Sequence, residues 1–271
     1  MALISHNPPQ VREPGGLRAV ALGCVVVLAL GAAQLFFGVN AVRAQSYQQS
    51  GDVVESPYLS VDRDAARAVK RSDTNAYDVE VWDLSTKKKL SSIRGLSGVV
   101  NTANISPDGR KVVTAERRGI VGLWDAATGK QIRLLRGHGD QIQDARFSPD
   151  GAMIATGARD GTARTWDTET GEQIASHEQK GGPYVDTVSF SPDGRWVLSA
   201  GNGWAEVWNA RSGKVHQSMF VGPQDAGAFD TSARFSSDGK SIVVSDPDGV
   251  PTKTIPIEPP LNASPTLGEQ H

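Results

Sequence analysis

The sequence predicts an all-β chain made of one four-stranded unit copied about five times, preceded by a single apolar helix. Three observations carry this. Trp82-Asp83, Trp124-Asp125, Trp166-Asp167 and Trp208-Asn209 recur at a constant spacing of 42 residues. One kind of turn precedes the last three of them, as Ser106-Pro107-Asp108-Gly109, Ser148-Pro149-Asp150-Gly151 and Ser191-Pro192-Asp193-Gly194, and returns as Ser236-Ser237-Asp238-Gly239. Runs of about 5 to 7 residues separate the turn signals, which is strand length. A fixed period of this size means that one supersecondary unit is repeated and that each copy needs its neighbours to cover its apolar face.

The elements of one copy follow in order. Pro presets φ at the second turn position and Gly accepts a positive φ, so the Ser-Pro-Asp-Gly signal is a hairpin turn. An alternating strand comes next, such as Met153-Ile154-Ala155-Thr156-Gly157, then a tight turn and a second strand ending in the Trp. Thr128-Gly129, Thr170-Gly171 and Ser212-Gly213 mark a further hairpin, and a short outer strand such as 131–135 completes the copy. Four strands per period make one blade of a β-propeller. The first copy starts at about Tyr58, with Ser60-Val61-Asp62-Arg63 in place of the turn, and ends at about Ile93. Three full copies follow, and a last one over about 229–257 lacks its outer strand. The repeats thus span 58–257. Propellers run from about four to eight blades, so a closed ring and an open arc both remain open. Segment 46–54, inside a linker or closing strand at 43–57, is the candidate for the missing strand.

The third copy is the fullest, with Gly137-His138, Thr156, Asp160-Gly161-Thr162 and Trp166-Asp167. In that order these residues resemble the consensus blade of the WD-repeat family of β-propellers. The resemblance implies that His138, Thr156, Asp160 and Trp166 form a hydrogen-bonded chain inside the blade. It also implies a protein-binding role, and a chain short for a family that mostly closes with seven blades. Physical logic is compatible, since buried polar groups must find partners and a satisfied network stiffens its surroundings. The other copies depart from the pattern. The second has Gly95-Leu96 and Arg118 where Gly-His and Asp are expected. The fourth has Ser199 and Asn202 but no His at its start, and the fifth ends in Asp248-Gly249 without a Trp. A second likeness is shared by both families: Asp125 to Lys130 is similar to the Asp-x-x-Thr-Gly-Lys stretch of quinoprotein-type propellers. Those carry a Trp just after it, where this chain has Ile132-Arg133-Leu134.

A polar segment, 1–18, precedes 24 residues without a charge, Ala19 to Val42. The length suits a membrane-spanning helix of about 20 residues, while Val42-Arg43-Ala44 would serve as the cut site of a secretory signal. Both readings place the repeats outside the cytoplasmic membrane, as does the Arg12 and Arg18 pair on the near side against Arg43 beyond. Cys24 is the sole cysteine, so the repeats hold no disulfide and no thiolate for a metal, which fits a bacterial cell envelope. Three Arg and one Glu lie before residue 45, leaving 25 basic and 29 acidic residues beyond it, which is no footprint for nucleic acid. Residues 258–271, with Pro259, Pro260 and Pro265, read as a disordered tail. Asn262-Ala263-Ser264 matches a glycosylation acceptor only as a short motif does by chance.

No Gly-rich phosphate loop, H-E-x-x-H pair, G-x-S-x-G elbow or Cys pair is present, and no cofactor or catalytic residue is assigned. The repeated Asp108, Asp150, Asp193 and Asp238 read as turn residues, and His177 and His216 as solvent-facing. The surface remains. The turns between second and third strands carry Arg71, Arg117 with Arg118, Arg159, and Asn202 with Trp204. Arg and Trp are over-represented among binding hot spots, so these positions form a candidate basic-aromatic rim for an acidic segment of a protein partner. The expected function is a non-catalytic interaction scaffold. The alternatives are an incomplete propeller that self-associates into a homo-oligomer and a propeller enzyme of quinoprotein or hydrolase type.

Overall fold

The computed structural model describes residues 47–49, 52–54, 59–64, 66–75, 77–222, 232–245 and 251–258, all within a compact unit spanning Phe36–His271. The apolar helix expected at 19–42 and, apart from Glu258, the tail at 258–271 lie outside the described residues. Among the described residues no helix is long and apolar enough to cross a membrane.

Five antiparallel sheets follow one another along the chain. The first holds Ser60–Val61, Arg67–Arg71, Val79–Asp83 and Lys88–Ile93, and the second Val100–Ile105, Lys111–Glu116, Val121–Asp125 and Gln131–Leu135. The third holds Ile142–Phe147, Met153–Ala158, Thr162–Asp167 and Gln173–Glu178, and the fourth Thr187–Phe190, Trp196–Gly201, Trp204–Asn209 and Val215–Phe220. Among the described residues the fifth holds three strands, Ser232–Phe235, Ser241–Ser245 and Pro251–Pro256. In every sheet the spatial order is the chain order, and first strands pack against the first strand of the next sheet. This all-β arrangement is consistent with propeller blades. No comparable packing joins the fifth sheet to the first among the described residues. Tyr47–Gln49 pairs with Asp52–Val54 in a two-stranded sheet of its own and does not extend the fifth sheet. Closing so short a loop costs less chain entropy than pairing with a strand some two hundred residues away.

Side-chain chemistry fixes both recurring turns. Ser106, Ser148, Ser191 and Ser236 each donate Oγ–H to the Asp two residues on, at 2.6 Å. The same hydroxyls accept the amides of Lys111, Met153, Trp196 and Ser241. The first sheet corrects the sequence reading. Ser60–Val61 is strand, and the turn begins at Asp62, whose Oδ1 takes the amides of Ala66 at 2.8 Å and Arg67 at 3.1 Å. A carboxylate there performs the work of the serine hydroxyl, which hid the match. At the second turn, Asp83, Asp125, Asp167 and Asn209 each accept the amide three residues on. That explains why an Asp or Asn follows each Trp of the 42-residue series. Gly129, Gly171 and Gly213 complete the turn at φ of 68°, 75° and 71°, and Lys87 adopts φ of 55° at the same place in the first sheet.

Sheets stack through their tryptophans. Trp124 packs with Val69, Val79 and Val81 of the first sheet, Trp166 with Val121 and Leu123 of the second, and Trp208 with Ala155 and Ala163 of the third. Their relative exposures are 3%, 2% and 0%. Each outer strand meets its neighbour through a bulge level with the Trp, which puts Leu90, Ile132, Ile174 or His216 out of alternation. Where the second and fourth sheets have Ala115 and Ala200, the third has Gly157, because Val185 and Val188 crowd it. A Cβ there would lie 2.6 Å from Val185 Cγ1 and 3.1 Å from Val188 Cγ1.

Gly157→Ala is therefore expected to destabilise the chain by about 1–3 kcal/mol through overpacking, read from urea unfolding. Lys87→Gly should act in the opposite sense and raise stability by roughly 0.5–1 kcal/mol, since Lys87 holds a backbone conformation that suits glycine.

Candidate functional site

Inside the third sheet the structure joins four side chains in series. Trp166 Nε1–H donates to Thr156 Oγ1 at 2.9 Å, Thr156 Oγ1 lies 2.7 Å from His138 Nε2, and His138 Nδ1 lies 2.9 Å from Asp160 Oδ2. Burial lowers the pKa of His138 against the pull of Asp160, so the ring is neutral at pH 7. A neutral ring facing a carboxylate carries its proton on Nδ1 and accepts the Thr156 hydroxyl at Nε2. Burial also opposes ionisation of Asp160, but the amides of Gly139 and Thr162, the Thr162 hydroxyl and His138 outweigh it and hold the carboxyl at about 2. The network fastens the loop entering the sheet to the sheet's middle strands.

The fourth sheet builds the same chain from different residues. Trp208 Nε1 donates to Ser199 Oγ at 3.1 Å, and Ser199 Oγ donates to Gln179 Oε1 at 2.6 Å. Gln179 stands where the histidine stood. Sequence reasoning missed it because 20 residues separate Gln179 from Ser199, against 18 from His138 to Thr156. The second sheet keeps only the link from Trp124 Nε1 to Thr114 Oγ1, at 2.9 Å. In the first sheet Trp82 Nε1 turns to Glu80 Oε2 at 2.9 Å.

His177 is not solvent-facing. It is 8% exposed, with Nε2 at 2.8 Å from Glu206 Oε2. The bulge in the third sheet's outer strand shifts alternation and turns His177 onto Trp208, whose ring centroid is 5.5 Å away. Burial works against the Glu206 charge, yet His177, Ser218 and the Lys180 amide hold its carboxyl below the usual range. His216 is half-buried and lies 5.1 Å from the Trp196 ring. The turn carboxylates Asp108, Asp150, Asp193 and Asp238 are taken up by their own turns, as described above. Among the described residues no three His, Cys, Asp or Glu side chains gather as metal ligands.

The rim positions separate into two groups. Arg71 Nη2 donates to the Asn101 carbonyl at 3.0 Å, and Arg117 Nε donates to Asn101 Oδ1 at 3.1 Å. Asn101 Nδ2 in turn donates to the Ile142 carbonyl at 2.7 Å and lies 3.2 Å from the Gln143 amide. With the Gln143 oxygen turned to the guanidinium, Arg159 Nη2 donates to it at 3.1 Å. Arg159 also lies over the Tyr184 ring at 5.3 Å, and Asn202 Nδ2 donates to the Tyr184 carbonyl at 3.0 Å. A continuous belt of contacts thus runs from the first sheet to the fourth. Trp204 belongs to a neighbouring aromatic corner, half-buried between the exposed Phe220 ring at 5.6 Å and the Lys180 ammonium at 4.3 Å. Arg118 is exposed and belongs to neither group, its stem lying beside Gly98.

The model of the WD domain, G-beta repeat matches residues 129–167 and 171–209, two stretches of nearly one period each. Each begins at the turn glycine before the outer strand of one sheet, Gly129 or Gly171, and ends at the Trp-Asp or Trp-Asn of the next. The chain thus carries at least two WD-type repeats. No curated protein matches it.

The Asp160 charge carries a pH signature. Its carboxyl is depressed on folding, so its contribution is fully present above the unfolded value near 4 and is lost as pH falls towards about 2. Asp160→Asn should lower stability by roughly 1–3 kcal/mol at pH 7, and the difference from wild type should shrink between pH 4 and 2. Melting temperature followed against pH for both proteins checks this.

Proposed function

We propose that this chain is a non-catalytic interaction scaffold: a five-bladed WD-type propeller, its last blade incomplete, displayed outside the cytoplasmic membrane by residues 19–42. WD repeats commonly mediate protein–protein contacts, and this chain carries them. The observation that supports the reading most directly is the rim. Arginine side chains from three successive sheets and an aromatic corner from the fourth lie at the ends of rigid strands, exposed or half-exposed. Sites built on strands hold their geometry better than sites on long loops. Their partner is a protein, since large amphipathic rings beside guanidinium groups suit the mixed apolar and polar surface of a polypeptide.

Self-association through the fifth sheet is the second reading, favoured by its missing outer strand. The edge that would pair is Pro251–Pro256, which begins and ends in proline and carries Lys253. Both features blunt strand addition, so the rim is the better supported surface.

Affinity capture from a detergent-solubilised envelope extract, with the full chain as bait, tests the proposal. A stoichiometric partner should be retained by the wild type and lost by the Arg159→Ala/Trp204→Ala double variant. Because Trp204 is half-buried against Phe220, the double variant should melt somewhat lower, and a thermal melt must show both baits folded at the capture temperature. Equal retention by the two baits removes the rim, and recovery of nothing but copies of this chain moves the conclusion to self-association.

A further inference from the structure

Resting on the scaffold reading, we infer that Arg71, Arg117 and Arg159 form a preorganised seat for the carboxylates of an acidic peptide segment in the partner. The three arginines come from three sheets, yet they converge on two neighbouring residues: Arg71 donates to the Asn101 backbone carbonyl, Arg117 to the Asn101 side-chain oxygen, and Arg159 to the Gln143 side-chain oxygen. None of the three has a carboxylate within ion-pair distance among the described residues, whereas Arg94, Arg146, Arg164 and Arg195 each do. Uncompensated guanidinium groups repel one another, so gathering them around neighbouring acceptors has a cost that a purely structural role would not require. Neutral side chains at these positions would satisfy those acceptors without that cost.

The donors left over define the ligand. A guanidinium has five N–H groups, and Arg71 and Arg117 each use one on Asn101. The remaining donors are exposed, in the fork geometry that binds a carboxylate through two parallel hydrogen bonds. Orientation by Asn101 and Gln143 removes much of the side-chain entropy that binding would otherwise cost. A peptide is favoured over a bare phosphate by the Arg159–Tyr184 stack, which puts an exposed ring at the edge of the seat, where a peptide has side chains to lay on it and inorganic phosphate has none.

A fluorescein-labelled octaglutamate peptide, titrated into the purified full-length chain and followed by anisotropy, tests this. Binding should be saturable and weaken with salt. The Arg71→Gln/Arg117→Gln/Arg159→Gln variant should lose about tenfold or more in affinity at an unchanged melting temperature. Asn101→Ala, which removes no charge, should weaken binding severalfold through lost orientation, and Arg118→Gln should leave it within about twofold. An Arg118→Gln loss equal to that of Arg117→Gln would mean diffuse charge attraction and overturn the seat. So would an absence of octaglutamate binding, or tripolyphosphate competing better than the unlabelled peptide. A partner captured equally by wild type and triple variant sinks the seat while leaving the scaffold standing. A chain that binds octaglutamate but captures no partner keeps the seat and loses the scaffold.

Discussion

The stacking of the first four sheets rests on one indole in each of the second, third and fourth. Each of Trp124, Trp166 and Trp208 packs its ring against the preceding sheet and donates its N–H to a hydroxyl on the strand beside it. The first contact removes a large apolar surface from water and holds two sheets at a set distance. The second satisfies a donor that burial would otherwise strand. A ring so placed can be neither shifted nor rotated without losing one of the two. The constant 42-residue spacing follows from this, because insertions between tryptophans must avoid disturbing either contact.

The polar network behind the indole is variable where the indole is not. The third sheet continues from Thr156 to His138 and Asp160, and the fourth from Ser199 to Gln179. The second ends at Thr114, with Glu116 taking the Ser97 amide and hydroxyl nearby. The first replaces the hydroxyl by Glu80, which Lys70 and Lys89 help to neutralise. Different residues are accepted as long as the indole N–H and the entering loop both find partners. The requirement is satisfaction of buried groups, and a particular side chain is one way of meeting it.

That distinction decides how much was legible in the sequence. Trp spacing and turn residues gave away the number of sheets, their strand order and the missing strand of the fifth, because glycine, proline and tryptophan each do something no substitute does at those positions. Roles that several residues can fill stayed hidden. Asp62 replaces a serine, Gln179 replaces a histidine across an altered loop length, and the pairing of His177 with Glu206 joins two sheets. The bulge beside each Trp conceals the inward face of the outer strands, since a period of two cannot be followed through an extra residue. At the rim, residue type and turn position could be read in advance. The sharing of Asn101 by Arg71 and Arg117 could not, because it depends on how neighbouring sheets abut.

The stack has a direction. Trp124, Trp166 and Trp208 each face back towards the sheet made before, and the surface they meet is built from smaller side chains such as Val121, Ala155 and Ala163. As the chain leaves the ribosome, each finished sheet therefore offers a shallow, modestly apolar template, and the next one arrives carrying the large ring that locks onto it. Growth from the N-terminus leaves none of these three indoles waiting for its partner. Lengthening such a gene by duplicating its fourth copy would add a unit that brings its own adhesive, whereas a new copy at the front would have to supply a matching receptor for Trp82.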